Sequence, residues 1–202
     1  MTPLPAGTAK IGPNAILQLL PVLEAEGGQP LVDHMLAAAG LSAPPSDSGM
    51  MDERPAAAMH QALRRDLPDR AADVARAAGL ATGDYILAHR IPKPAQSLLR
   101  RLPTSIAAWM LTRAIAQHSW TFAGSGRFEI LSTRPLSVAI HDNPVVRGER
   151  SETPLCHWHA AVFERLFTTL IHPDYRAVET TCCATGAEAC VFKITREPAA
   201  RH

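Results

Sequence analysis

The residues of this sequence most suited to chemistry are its four cysteines, which all lie between residues 156 and 190. Cys156 begins the stretch Cys-His-Trp-His at the start of a predicted helix, and Cys182, Cys183 and Cys190 follow in a predicted strand pair. Glu179 stands three positions before Cys182. Thiolates and carboxylates are ligands that zinc accepts in closed tetrahedral structural sites. The cluster therefore predicts a metal site.

The spacing separates candidate ligands from a bystander. A turn brings Cys190 back beside Cys182, and the helix dipole at the predicted N-terminus favours a thiolate at Cys156. The predicted metal ligands are Cys156, Glu179, Cys182 and Cys190. The alternative is that the cysteines are buried as small apolar side chains while Glu179 lies on the surface. Cys183 fits this alternative better, because it points to the opposite sheet face from Cys182.

The elements that must position these residues change character near residue 118. Before it, apolar residues recur at helical spacing between Pro and Gly interruptions, and this pattern predicts helices over residues 13–26, 31–39, 54–67, 69–78, 84–90, 94–102 and 104–118. After it, alternating patterns predict two strand pairs around one helix: strands over 128–132 and 136–140, a helix over 155–171, and strands over 175–183 and 190–195. The predicted fold class is α+β: a helical N-terminal half, then an antiparallel sheet in β-β-α-β-β order.

This change of pattern also sets the predicted domain boundaries. Residues 1–12 are predicted to be a flexible leader, residues 13–118 a helical part, and residues 119–197 a ligand-binding core. The helical part and the core are expected to form one compact domain over residues 13–197.

Composition excludes several classes of function. The net charge is +1, from 20 basic and 19 acidic residues, so no basic field favours nucleic acid. The N-terminus lacks the pattern of a signal peptide, and no apolar run reaches the roughly 18 residues typical of a membrane span. We therefore expect a cytoplasmic protein, in which cysteines stay reduced and more often bind metals than form disulfides.

The segment over residues 127–197 resembles the 4-vinyl-reductase domain family. It carries the motif Glu179-x-x-Cys182-x-Ala-x-Gly-x-x-x-Cys190-x-Phe-x-Ile. The N-terminal part is similar to the bacteriochlorophyll-biosynthesis branch of that family, through Ala-Ala-Trp109-Met and Gln-His118-Ser-Trp-Thr-Phe. The resemblance implies a compact fold shared with vesicle-tethering subunits and haem-based nitric-oxide sensors, and dimerisation through its helices.

The resemblance also implies a metal and a ligand. Phenol sensors of the family hold zinc with three cysteines and a glutamate, whose positions fall on the four ligands predicted above. The chain departs from its relatives after the first cysteine, where it reads His157-Trp158-His159-Ala160. A different ligand is therefore expected near that helix.

Three hypotheses of function follow. The first is a photosynthesis protein: a zinc-containing homodimer that carries a (magnesium-)porphyrin intermediate, such as magnesium protoporphyrin, between magnesium chelatase and the following methyltransferase. The second is a reductase of the vinyl group of divinyl protochlorophyllide that uses an external reductant. The third is a sensor of small aromatic molecules. Hydride transfer needs a carrier, and no Gly-x-Gly-x-x-Gly opens a βαβ unit, so binding without catalysis is favoured.

A planar tetrapyrrole needs an apolar slot with aromatic walls and, where magnesium is bound, an axial donor. The predicted ligand-binding residues are His118, Trp120, Phe122, Phe128, Trp109, His157 and His159. His118 is the candidate axial donor; its alternative role is a partner of the helix C-terminal dipole. His157 and His159 have a position behind the metal ligands as their alternative.

Other charged residues have blander predictions. The pairs Arg64-Arg65 and Arg100-Arg101 are candidates for binding propionate carboxylates, with solvated helix faces as the alternative. The remaining histidines are predicted to be solvated, namely those at positions 34, 60, 89, 172 and 202.

Overall fold

The structure, a computed structural model, describes residues 9–45 and 49–196. Eight helices are present within these ranges: α1 (Asn14–Leu17), α2 (Leu20–Ala38), α3 (Glu53–Asp66), α4 (Ala71–His89), α5 (Lys93–Arg101), α6 (Thr104–Gln117), α7 (Trp120–Ala123) and α8 (His157–Leu170). The strands there are β1 (Lys10–Ile11), β2 (Met51–Asp52), β3 (Arg127–Thr133), β4 (Leu136–His141), β5 (Tyr175–Thr181) and β6 (Ala189–Arg196). The predicted α+β class and the β-β-α-β-β order are confirmed.

Four strands form an antiparallel sheet in the order β3-β4-β6-β5. The alternation in the sequence sets which side chains face inward, because successive residues of a strand point to opposite faces. Val138, Ile140, Phe192 and Ile194 are buried on the face that α8 covers.

Helix α8 lies between this sheet and α4. Its side chains are buried on every side, as expected of a helix with apolar residues around its whole circumference. Phe163 of α8 packs on Phe192 of β6 with ring centroids 5.3 Å apart. The N-terminus of α8, which follows Cys156, is thereby fixed against both layers.

The first difference from the sequence prediction concerns α4, which is one helix where residues 69–78 and 84–90 were predicted separately. Gly79 and Gly83 lie inside it and face α8. A Cβ at Gly79 would overlap the carbonyl oxygen of Trp158, and one at Gly83 would lie 2.6 Å from Cβ of Arg165. These glycines therefore allow close packing of the two helices rather than ending α4.

The second difference lies near the N-terminus. Lys10 and Ile11 pair with Asp52 and Met51 in a two-stranded sheet, and Ile11 is fully buried. The structure thus includes the end of the predicted leader in the fold, while residues 1–8 lie outside the described part. Within residues 9–45 and 49–196, no helix combines the length and apolar character needed to cross a membrane.

Candidate functional site

The four predicted metal ligands lie together at one end of the sheet. Cys156 precedes α8, Glu179 is in β5, Cys182 follows β5, and Cys190 is in β6. The donor atoms of these four residues all lie within 4.8 Å of one another. All three thiols are fully buried.

The distances fit a tetrahedral ion. A metal–sulfur bond of about 2.3 Å implies sulfur atoms about 3.8 Å apart in a regular tetrahedron. The sulfur of Cys190 lies 3.4 Å from that of Cys156 and 3.7 Å from that of Cys182. One carboxylate oxygen of Glu179 accepts a hydrogen bond from the Cys156 N–H at 2.6 Å. Its other oxygen is buried and has no hydrogen-bond partner among the described residues, which suits a metal ligand.

The protonation of the cluster also favours a cation. Burial raises the pKa of the Cys156 thiol well above its usual value and that of Glu179 to about 8. Hydrogen bonds from the Cys156 and Cys190 thiols lower the pKa of Cys182. The cluster without metal therefore retains protons that a divalent ion would displace on binding.

Two further groups donate hydrogen bonds to the sulfur atoms. The backbone N–H of Cys183 lies 3.3 Å from the Cys190 sulfur, and the side-chain amide of Asn143 lies 3.2 Å from the Cys156 sulfur. Asn143 was not singled out in the sequence, because a lone asparagine in a loop carries no motif. Such contacts orient metal ligands and tune their basicity.

The predicted ligand-binding residues separate into two groups. Phe122, Phe128 and His159 come together in a packed cluster, with the rings of Phe122 and Phe128 5.6 Å apart. His157 is half-buried beside the metal cluster. The structure places the other three away from the cluster and exposed to solvent, namely Trp109, His118 and Trp120.

His118 lies at the end of α6, where its Nδ1 is 2.8 Å from the carbonyl oxygen of Ala114. His60, in contrast, was predicted to be solvated and is fully buried, so that prediction is wrong. Its ring packs against Trp158 and its Nε2 lies 3.1 Å from the Ala15 carbonyl oxygen. A histidine on a buried helix face cannot be recognised from residue type alone. His202 lies outside the described residues.

The predicted arginine pairs are differently placed. Arg64 bonds the carboxylate of Glu149 and is largely buried, so it is not on a solvated face. Arg65 pairs with Asp66 on the surface at 2.6 Å. Arg100 donates to the carbonyl oxygen of Thr169.

A groove lies at the end of the sheet opposite the metal cluster. Cys190 pairs with Ile140 at one end of β4, whereas Ile194 pairs with Leu136 at the other end. The groove has a volume of about 850 Å³ and runs between α6 and the sheet. Its principal lining residues are Ile106, Trp109, Arg134, Leu136, Tyr175 and Arg196. Apart from Trp109, the sequence patterns did not single out these residues.

Comparison with known proteins identifies relatives along nearly the whole chain. The chain is 57% identical to the bacteriochlorophyll synthase 23 kDa chain of Cereibacter sphaeroides, over 94% of this chain and 92% of that protein. The chain belongs to the bacteriochlorophyll synthase 23 kDa chain family. It is also 48% identical to the Rhodobacter capsulatus protein of the same name, over 91% of this chain and 85% of that one. Family membership supports a role in bacteriochlorophyll biosynthesis.

The domain and fold comparisons agree with the sequence predictions. The family model of the 4-vinyl-reductase domain matches residues 136–196, which confirms the predicted resemblance. An H-NOX protein mutant from K. algicida, crystallised in an Fe(II) unliganded state, has a TM-score of 0.55. It is 13% identical and covers 94% of this chain and 98% of its own. That likeness concerns the fold alone.

Proposed function

We propose that this protein is a tetrapyrrole carrier of bacteriochlorophyll biosynthesis, which holds a (magnesium-)porphyrin intermediate without changing it. The groove between α6 and the sheet is the observation that carries the proposal. Small-molecule sites usually have volumes of about 300–1,000 Å³, and this one has about 850 Å³. Trp109 and Tyr175 supply aromatic walls, and Ile106, Leu136 and Ile194 supply apolar ones.

The metal centre has a structural role in this proposal. Cys156, Glu179, Cys182 and Cys190 hold zinc, which contributes binding free energy to folding. The ion ties the start of α8 to the β5–β6 hairpin. Because four protein donors leave no open coordination position, this centre offers no place for a reacting water or substrate.

The proposal keeps the predicted partners. A homodimer would receive the porphyrin from magnesium chelatase and deliver it to the following methyltransferase. Of the seven predicted ligand-binding residues, Trp109 lines the groove; the other six remain predictions.

Two alternatives make different demands on the groove. A vinyl reductase would turn over its substrate when given a reductant. A sensor of small aromatic molecules would need a compact pocket, and the size of this groove favours a larger ligand.

A titration tests the proposal. Purified protein of known metal content would be titrated with magnesium protoporphyrin IX and its monomethyl ester, with and without NADPH, while the Soret band and fluorescence are followed. We expect saturable binding and an unchanged vinyl spectrum. A spectral change that requires NADPH would support the reductase instead, and absence of binding would reject the carrier.

Two exposed tryptophans provide a matched pair of variants. Trp109 is 51% exposed and lines the groove, whereas Trp120 is 56% exposed and is not among the lining residues. We expect Trp109→Leu to weaken porphyrin binding and Trp120→Leu to leave it unchanged. The reverse result would move the ligand to the site predicted from the sequence around Trp120.

A further inference from the structure

The groove carries a one-sided charge. Two guanidinium groups line it, those of Arg134 and Arg196, and no carboxylate does so among the described residues. The protein as a whole has a net charge of only +1. This local excess of positive charge on an apolar groove points to an amphipathic anion as the ligand.

The strand register puts the two cations at the same end of the sheet. Tyr175 of β5 pairs with Arg196 of β6, and Ile194 of β6 pairs with Leu136 of β4. Arg134 stands two residues before Leu136, in the turn between β3 and β4. Neighbouring strands lie about 4.8 Å apart, so both arginines border the same rim of the groove.

Both guanidinium groups have capacity left for a ligand. The side chain of Arg196 is 48% exposed, and its Nε lies 3.6 Å from a carboxylate oxygen of Asp174. Its Nη2 lies 2.8 Å from Nε2 of His172. These neighbours fix the position of Arg196, while its Nη1 has no partner within the described ranges. Arg134 is exposed and forms no ion pair with any described residue.

We propose that Arg134 and Arg196 bind the two free carboxylates of a tetrapyrrole, so that the groove selects the diacid over its esters. The inference rests on the proposed function and specifies its ligand class. A guanidinium forms paired, charge-assisted hydrogen bonds with a carboxylate. An ester has lost the negative charge and one of the two equivalent acceptor oxygens. The macrocycle lies against the apolar wall that includes Trp109 and Ile106.

This selectivity gives the protein a place in a reaction sequence. It takes up a tetrapyrrole with both carboxylates free, and it binds the product weakly once a carboxylate has been esterified. The reaction that consumes its ligand is therefore an esterification, which also promotes release of the product.

Three ligands that differ in ester content test the inference on the whole protein. Dissociation constants would be measured for magnesium protoporphyrin IX, its monomethyl ester and its dimethyl ester. We expect affinity to fall about tenfold with each ester, since hydrogen bonds to charged groups contribute most among polar contacts. Arg134→Gln and Arg196→Gln should each weaken diacid binding about tenfold and leave dimethyl ester binding unchanged.

Arg65→Gln is the matched control, because it removes the same charge from a surface pair outside the groove. Equal affinity for all three ligands would overturn the diacid preference and leave the carrier function standing. An equal effect of Arg65→Gln would overturn the role of the two groove arginines. Failure of all three ligands to bind would overturn both the inference and the proposed function.

Discussion

Asn143 donates a hydrogen bond to the sulfur of Cys156 over 3.2 Å, and its amide nitrogen also lies 3.5 Å from Nδ1 of His159. Its Oδ1 accepts from the backbone N–H of Val145, which sets the orientation of the amide. His159 in turn reaches the carbonyl oxygen of Phe122 through Nε2, at 3.4 Å. A buried chain of polar contacts thus connects the metal cluster to the end of the helical half.

Asn143→Ala should therefore weaken metal binding by about 10–100-fold, because the Cys156 thiolate loses the donor that stabilises its charge. Competition with a chromogenic chelator would measure the affinity. In cobalt-substituted protein, the thiolate-to-metal charge-transfer band should shift as well. Asn14→Ala, which removes a surface amide paired with Gln18, is the control. An unchanged affinity and band would contradict the role of Asn143.

The second prediction concerns the cysteines. Cys182→Ser and Cys190→Ser should lose the metal and lower the melting temperature, because structural zinc contributes directly to the folding free energy. Cys183→Ser should retain both, since its sulfur lies outside the cluster and contacts only carbonyl oxygens at 3.9 Å. Metal analysis and thermal unfolding check this. Wild-type protein purified without any bound metal would refute the prediction.

The third prediction concerns the contact between α4 and α8. Gly79→Ala should destabilise the protein by about 1–3 kcal/mol, because the new methyl group overlaps the backbone of Trp158 and forces the helices apart. Gly49→Ala meets open space within 4 Å and should change stability by less than about 0.5 kcal/mol. Chemical denaturation of both variants measures the difference. Similar stabilities would show that α4 shifts without cost.

The fourth prediction concerns pH. Burial lowers the pKa of His60 to about 3, whereas an unfolded histidine titrates near about 6.5. Between these values the unfolded chain binds a proton that the native protein does not, so stability falls as pH falls. The contribution of His60 is at most about 1.4 kcal/mol per pH unit. His60→Gln should reduce the slope of unfolding free energy from about pH 6 to about pH 5; an unchanged slope would contradict it.

The fifth prediction concerns the ion pair between α3 and the loop before α8. Glu53 is buried; it accepts from the Ser125 N–H at 2.7 Å and pairs with Arg147. Burial raises the pKa of Glu53, but these hydrogen bonds together lower it below its usual value. Glu53→Gln should cost about 1–3 kcal/mol at neutral pH.

The surface pair of Glu26 and Arg70 provides the comparison for Glu53. Glu26→Gln should cost less than about 1 kcal/mol, because exposed ion pairs contribute little. Urea denaturation of the two variants measures both costs. Equal costs would mean that burial adds nothing to the Glu53 pair.

Residue patterns predicted the parts of the fold that depend on local chemistry. Alternation located the strands of the sheet, and the spacing of Cys182, Gly186 and Cys190 predicted the turn that brings the two thiols together. Gly79 and Gly83 misled the prediction, since their role is to accept another helix, and this depends on a partner far along the chain.

The groove was beyond reach of the sequence for a similar reason. Arg134, Tyr175 and Arg196 lie in three different segments and become neighbours only through the strand register. None of them belongs to a spacing motif. Trp109 was selected as an aromatic residue, but the wall it would join could not be inferred without the packing of α6 on the sheet.

The β5–β6 hairpin carries metal ligands at its turn and groove residues at its open end. Glu179 and Tyr175 share β5, and Cys190 and Arg196 share β6. A slip of one residue would turn every side chain of a strand to the other face. Only the pairing that assembles the four metal ligands also places Arg196 beside Tyr175. The metal thus acts as an error check during folding, since a chain that has captured it correctly has also built its cargo site.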